Sequence, residues 1–581
     1  MTQSSAEAVQ SGRMTSPWTW ERLKPYALFP LLGVLALFMV YPIFMVVYAS
    51  FKGGPPGTDA PFTLDGYGRV WSQWRTYKAL IMTIGLALVR TGLSVAFAIV
   101  FTWILTRTNT PGRGVFENFI WLRIFLPPLP VILAWLFLAS GRGSLINRLL
   151  MDTFNLANPP LDIRSLWGLI FLSVVFAGAI FYVFIGPAFR NMDASMEESS
   201  RTCGASNLTT LFRITVPVMM PAILGTSLLA FLFVLSSFEM ELFLLAPKGI
   251  YVFTTYIWYL FGTTPIDYPG AMATANIFLI FVAGVIYLQF RILGGRQFVT
   301  VTGRGFNVRP TDLGRWKWVA FGIMVAWVIV GVLLPVAALV LSTFLKGWGL
   351  IDSGLTTQYW KLVFRDPATI KAFKNTLVLA ALVATGSTVV HGLLSYAYLR
   401  TRLKGRALIE VLTWVPRASP GIVLAVGIYW AVLGGIPGLK LLFGSIFLMA
   451  IVVMIDSTPV AMRLLNGAMV QLGAELEESA RVSGASWLQT MRRVVLPLLA
   501  PALVNNWLLR FFAASQALIL ILYIVLPGSN TVPVLMFQFM MSSGDQQRAA
   551  ALGVALSAIC LVAAILARIV VARERRVMEV V

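Results

Sequence analysis

One histidine, His391, and two cysteines, Cys203 and Cys560, are all that this 581-residue chain holds of the side chains most used for metal binding and nucleophilic catalysis. A single imidazole leaves little material for histidine-based metal sites or triads. Two distant cysteines in unlike settings make neither a disulfide scaffold nor a CxxC metal site. No metal site is therefore assigned. Charge is scarce as well, at 12% of residues, about half of what a soluble domain carries. Acidic residues are the scarcer sign, 24 against 45 Lys and Arg. The apolar share is 58% and the mean hydropathy +0.81. Such a chain cannot cover itself with polar surface in water, and its apolar runs are long enough to span a bilayer as helices. The net charge of +21 does not point to nucleic acid, because Lys and Arg fall in short clusters between apolar segments. That is how cytoplasmic loops are marked, so membrane lipids are the expected surroundings.

Twelve apolar windows follow, near 27–50, 79–105, 117–139, 166–187, 218–245, 270–291, 316–342, 375–399, 408–433, 442–464, 498–526 and 548–571. The third and ninth contain prolines. Basic clusters after the sixth span (Arg291, Arg296, Arg304, Arg309, Arg315, Lys317), after the eighth (Arg400, Arg402, Lys404, Arg406) and at the end (Arg573, Arg575, Arg576) all fall on one side. That side reads as the cytoplasm, with both termini inside. The loop at 51–78 is a mild exception, with Lys52, Arg69, Arg75 and Lys78 offset in part by Asp59 and Asp65. The first run has no cleavage site after it and reads as a retained signal anchor. The expected layout is a cytoplasmic tail at 1–26, a first membrane half at 27–291, a linker at 292–315, a second half at 316–572 and a tail at 573–581.

The halves repeat. A shift of 280 residues lays Glu197, Glu198, Ser199 and Arg201 on Glu477, Glu478, Ser479 and Arg481 without a gap. It also lays Gly204-Ala205-Ser206 on Gly484-Ala485-Ser486, Arg213 on Arg493, and Pro217 and Pro221 on Pro497 and Pro501. A weaker echo at about 293 matches Trp121 to Trp414 and Pro127 to Pro420. Both halves run from inside to inside, so the repeat is parallel. The fold class is an all-α polytopic membrane protein of about twelve transmembrane helices in two parallel six-helix repeats.

Each copy of the polar segment reads as two short helices with a sharp break. Glu197 with Arg201, and Glu477 with Arg481, have the i,i+4 spacing of helical ion pairs. Gly204 and Gly484 stand where the first helix must stop, since glycine takes the left-handed conformation without a Cβ clash. Ser206 and Ser486 are placed to cap the next helix, the latter in a capping box with Gln489. Pro217 and Pro497 are expected to begin the next spanning helix. A bend of fixed shape, written twice at one topological place, suggests two equivalent partner sites.

Glu198-Ser199-Ser200, then Gly204, then Ile214-x-Val216-Pro217 resembles the EAA motif of binding-protein-dependent ABC importer permeases. So does Glu478-Ser479-Ala480, then Gly484, then Val494-x-Leu496-Pro497. The family pattern is Glu-Ala-Ala, three residues, Gly, nine residues, then Ile-x-Leu-Pro. The departures are Ser for Ala at three of four positions and aliphatic swaps near the end. The resemblance implies the type I importer permease fold, in the bacterial cytoplasmic (inner) membrane. It implies that Glu197, Glu198, Ser199, Ser200, Gly204, Ala205, Ser206, Ile214 and Pro217 form one coupling segment that docks an ATPase. Glu477, Glu478, Ser479, Ala480, Gly484, Ala485, Ser486, Val494 and Pro497 form the other. The chain has no G-x-x-x-x-G-K-[ST] phosphate loop. It is thus expected to be no enzyme and to bind no cofactor, with ATP and Mg used by two copies of a partner ATPase and substrate delivered by an extracytoplasmic binding protein.

Charge inside the membrane is the remaining signal. Glu239 and Glu241 sit in "LSSFEMELFLL", and Arg123 and Arg417 adjoin proline breaks. These four are the candidates for a translocation path; pairing between helices is the other reading. Arg90, Arg510 and Asp456 belong to the same set, while His391 reads as packed and hydrogen-bonded. Fusion of both halves, with "SPGIVLAVGIYWAVL", is similar to the ferric-iron permease group, which implies Fe(III) as cargo. Related branches carry thiamine, polyamines, sulfate or phosphonates. An ion-coupled secondary transporter is the reading of another class.

Overall fold

The computed structural model describes residues 29–293, 310–348, 354–401, 404–435, 438–473, 475–541 and 545–580. The tail expected at 1–26 and most of the linker, with Arg296, Arg304 and Arg309, lie outside the described residues, as do Arg402 and Val581. The described residues are almost wholly helical, with three isolated β-bridges besides. Ten helices are long and apolar enough to cross a membrane, and twelve spans result if each of two bent pairs is counted as one. The last helix, Gln546–Val580, runs on through the segment expected to be a tail.

The bent pairs are the third and ninth expected spans. Arg113–Phe125 and Pro128–Ala139 meet at 99°, and Arg406–Ala418 and Gly421–Gly435 at 102°. Neither is a straight crossing. Proline disfavours helical backbone at the residue before it and removes one helical hydrogen bond, so it begins a helix more easily than it continues one. Leu126 and Pro127 (ψ 122° and 139°) break the first pair, and Ser419 and Pro420 (ψ 113° and 147°) break the second.

The duplication is carried by helices of equal length. Trp74–Arg107 and Pro367–Arg400 have 34 residues each, Leu166–Asn191 and Ile446–Gln471 have 26, and Val216–Leu235 and Leu496–Ser515 have 20. The first pair is offset by the weaker echo, 293, and the others by 280. Both fifth spans stop earlier than the apolar runs suggest, at Leu235 and Ser515. Serine hydroxyls compete with the helical ladder there: Ser236 Oγ donates to Leu232 O, and Ser515 Oγ to Phe512 O. Short apolar helices, Phe253–Phe261 and Val532–Met541, follow and do not span. Both are hung the same way, with Phe253 N donating to Thr83 Oγ1 and Val532 N to Thr376 Oγ1 at 2.9 and 2.8 Å.

The halves interlock. Tyr41–Ala49, from the first half, packs on Gly421–Trp430 of the second. A Cβ at Gly427 would lie 2.4 Å from Pro42 O, so only glycine permits that approach. Reciprocally, Leu334–Ser342 packs on Pro128–Ala139 of the first half. Trp327 Nε1 donates to Val175 O at 3.1 Å, and the Trp327 ring meets Phe101 edge-on. The main core cluster thus takes side chains from both halves, with two small satellite clusters beside it.

Candidate functional site

The two polar segments fold as helix, glycine turn, helix. The first helices are Ala194–Thr202 and Glu475–Val482. Gly204 and Gly484 end them at φ 83° and 81°, the left-handed values expected of a C-terminal glycine. Ala205 N then donates back to Ser200 O, and Ala485 N to Ala480 O, closing the turn in both copies. Ser206 Oγ accepts from Thr209 N, and Ser486 Oγ from Gln489 N. The second copy completes the capping box, with Ser486 N donating to Gln489 Oε1 at 2.8 Å.

Two local expectations need correction. Pro217 and Pro497 do not start new helices, because Asn207–Leu235 and Trp487–Ser515 each run unbroken from the turn across the apolar region. A single π-helical turn, Leu211–Thr215 or Met491–Val495, precedes each proline. There Val216 N bonds Leu211 O and Leu496 N bonds Met491 O, and this wider turn leads the helix into the proline. The second short helix of each segment and the spanning helix are therefore one continuous helix.

Nor do the acids pair with the arginine four residues on. Arg201 Nε donates to the backbone O of Glu197 instead. The Glu197 carboxylate turns inward to Arg107 Nη2, the last residue of the 34-residue helix, at 3.2 Å. Its other oxygen accepts from Thr215 Oγ1 at 2.7 Å. The second copy repeats the pair: Arg400 Nε stands 3.4 Å from Glu477 Oε1, and Tyr396 OH donates to Oε2. Arg107 also donates to Met192 O and Arg400 to Leu472 O, at positions equivalent under the 280-residue shift. Sequence reading treated Arg400 only as a topology marker and passed over Arg107. The identical place of both at the end of equal-length helices was the signal that could have found them.

Around these bolts each segment shows apolar side chains outward: Met196, Leu208 and Phe212 in the first, Leu476, Val482, Trp487 and Leu488 in the second. Val482 is 90% exposed. Apolar residues clustered on a polar rim mark a surface that a partner covers. Glu198 is exposed, as are Ser199 on the first segment and Glu478 and Ser479 on the second.

The first segment has an additional tie. The linker's end forms a parallel bridge, Thr311 to Thr108, with Asn109 Nδ2 donating to Asp312 Oδ1 at 2.6 Å. Asn207 Nδ2 then donates to Asp312 O, so the linker clasps the start of the second short helix. Backbone N–H of Gly314 and the Asn109 amide hold the Asp312 carboxyl below its usual range.

The first half holds a cavity of about 390 Å³ that the second half reaches at Gln516. Arg123, Glu239, Arg90 and Ser237 line it from the first half and Gln516 from the second. Glu239 and Gln516 also face an adjoining hollow with Pro127, Pro128 and Pro130. Of the four path candidates, Glu239 and Arg123 thus reach one cavity. Arg417 sits over Phe233, a wall residue, with its Cζ 4.1 Å from the ring. Glu241 is different: it is buried against Arg90 and accepts from Ser237 Oγ, while Arg90 Nε donates to Ser173 Oγ. Its charge is spent on holding helices together. His391 is packed, with hydroxyl partners Ser387 and Thr458 at 2.7 and 2.9 Å. Among the described residues no three His, Cys, Asp or Glu gather as a metal cluster.

A family model described as binding-protein-dependent transport system inner membrane component matches residues 94–299 and 388–576, more than half of the chain. The chain is 26% identical over 501 residues to the putative ferric transport system permease protein FbpB 1 of Haemophilus influenzae, covering 85% of this chain and 76% of that protein. It is 25% identical over 507 residues to the ferric transport system permease protein FbpB of Actinobacillus pleuropneumoniae, covering 86% and 71%. Over 180 residues it is 30% identical to the spermidine/putrescine transport system permease protein PotC of Haemophilus influenzae, covering 31% and 68%.

Proposed function

The chain belongs to the binding-protein-dependent transport system inner membrane components, and on that premise we propose that it imports ferric iron, driven by two copies of an ATPase docked on its two polar segments. It is the permease subunit of an ABC importer, a multi-pass inner-membrane protein that works with an ATPase and a substrate-binding protein. The finer points are ours. Glu197 to Pro217 and Glu477 to Pro497 are the docking segments. Both termini face the cytoplasm, the side on which ATP and Mg are used by the partner. This chain itself binds no cofactor.

The observation that carries the docking is the repeated bolt, Arg107–Glu197 and Arg400–Glu477. Each fixes a segment to a 34-residue helix, while the π-turn keeps the same segment continuous with a spanning helix. When the ATPases close, both segments move as levers and the helices follow, which shifts the cavity between inward- and outward-facing states. Fe(III) rests on the similarity to ferric permeases along most of the chain. The polyamine alternative rests on a shorter similarity. An ion-coupled secondary transporter would have no use for paired docking segments.

Co-expression with the ATPase tests the docking. Gly204 and Gly484 have left-handed backbone and open space around them, so valine there strains the turn without a clash. The double change G204V/G484V should cost each turn about 1–2 kcal/mol and abolish recovery of the ATPase on the tagged permease. Undiminished recovery would refute docking at these segments.

A further inference from the structure

The cavity that Gln516 reaches is lined by a buried cation, Arg123, with which no carboxylate among the described residues pairs. Arg123 is 5% exposed, yet its Nε has no hydrogen-bond partner and its guanidinium has no carboxylate within ion-pair distance. It lies flat over Phe176, 3.8 Å from the ring, and makes one long bond from Nη1 to Leu126 O. Arg417, from the other half, stands over the wall residue Phe233 with Nε and Nη2 unpartnered, but it does not line the cavity and has the Asp456 charge near it. The second arm of the first bent pair, Pro128–Ala139, begins at this cavity and points its positive end toward it. On the same wall Glu239 pairs with no cation among the described residues, whereas Arg90 and Glu241 satisfy each other.

An unpaired guanidinium in a membrane interior is costly and is kept for a ligand or a path. Arg123 would repel a bare trivalent cation, and a lone carboxylate supplies far fewer oxygens than a hard metal ion takes. A cargo with both an anionic part and a metal centre fits both ends: oxyanion oxygens against the planar donors of Arg123, the metal toward Glu239. We propose that this cavity is an oxyanion site and that the metal crosses as its oxyanion complex, bringing its own oxygen ligands. The proposal rests on the ferric reading for its metal but not for its anion.

Two labels separate these parts. The complete transporter, with its ATPase and binding protein, is reconstituted in liposomes containing ATP and offered radioactive iron with labelled citrate or with labelled phosphate. Uptake of either anion with iron in a fixed ratio is the expected result, and which of the two enters identifies a carboxylate or a phosphate source. Arg123→Gln should lower both labels about tenfold or more, with Arg123→Lys recovering part of the loss, because Lys restores charge but not the planar fork. ATPase recovery on the variant checks assembly, and the wild-type label ratio decides the question even if the variant fails to fold. Iron entering without either anion, at an unchanged rate in chloride, overturns the oxyanion site and leaves the ferric reading standing. Anion entering without iron supports the site and overturns the ferric reading. Uptake of spermidine with neither label overturns both.

Discussion

The two halves agree at their docking segments and disagree at the cavity. Glycine turn, π-turn, buried acid and helix-end arginine recur residue for residue. Near the cavity the correspondence fails. Arg90 and Glu241 of the first half stand where Val383 and Ile521 stand in the second, and Arg510 and His391 of the second answer to Ala230 and Ala98. On the proposed docking of two identical ATPases, the two surfaces must stay alike to move together. The cavity is walled by the first half except at Gln516, so nothing requires the second half to repeat its charges.

The largest effects should come from the bolts, which are alike but not equally buried. The Arg107 and Glu197 side chains are 1% and 4% exposed, those of Arg400 and Glu477 13% and 12%. Removing one partner of a buried pair costs about 3–5 kcal/mol, because the other charge is left without compensation. Arg107→Leu should reach that range and Arg400→Leu fall below it, read as thermal unfolding of the purified permease and as ATPase recovery. A double change, R107L/E197L, should regain much of the loss. An equal or larger loss from Arg400→Leu would mean that burial does not set the difference between the two segments.

The Arg90–Glu241 pair gives the next test, since the second half shows how to do without it. Arg90→Val alone strands Glu241 and should cost about 3–5 kcal/mol of stability. Replacing both residues by their second-half counterparts, R90V/E241I, should restore most of it and leave transport largely intact. Lost transport in a stable double variant would place this pair on the path and erase the contrast drawn here with Arg123 and Glu239.

Much of this was legible in the sequence, for physical reasons. Apolar length gave the spans, and the Gly204 and Gly484 turns followed from chain chirality alone. The partner of Glu197 was not legible. Arg201, four residues on, satisfies the local rule, while Arg107 lies ninety residues upstream at the end of another helix. Local spacing cannot express that contact. The bends at Pro127 and Pro420 were visible as prolines but not as angles near 100°. The separation of Glu239 from Glu241 was likewise hidden: two residues apart, one lines the cavity and the other is locked to Arg90.

The smallest effects should come from the caps, where the segments differ by single bonds. Gln489 returns a bond to Ser486 N, whereas Thr209 in the first segment bonds the Ser206 hydroxyl. Ser206→Ala and Ser486→Ala should each cost about 1 kcal/mol, but Gln489→Ala should weaken only the second segment. Asp193 caps the first segment by accepting from Ser195 N, and Gly473 stands at the equivalent place in the second. That N–H holds the Asp193 carboxyl below the usual carboxylate range. A group with a lowered folded value contributes stability above its unfolded value, near 3.9, and loses it as pH falls through the folded value. Between pH 8 and 5 its contribution should therefore be constant, and only below about pH 4 should it fade. Asp193→Asn keeps the cap and removes that acid dependence. Hydrogen exchange of the Ala194–Thr202 amides, compared with Glu475–Val482 across this range, should show more acid loosening in the first segment than in the second, with the excess removed in the Asn variant. Equal loosening of both would show that the Asp193 cap does not distinguish them.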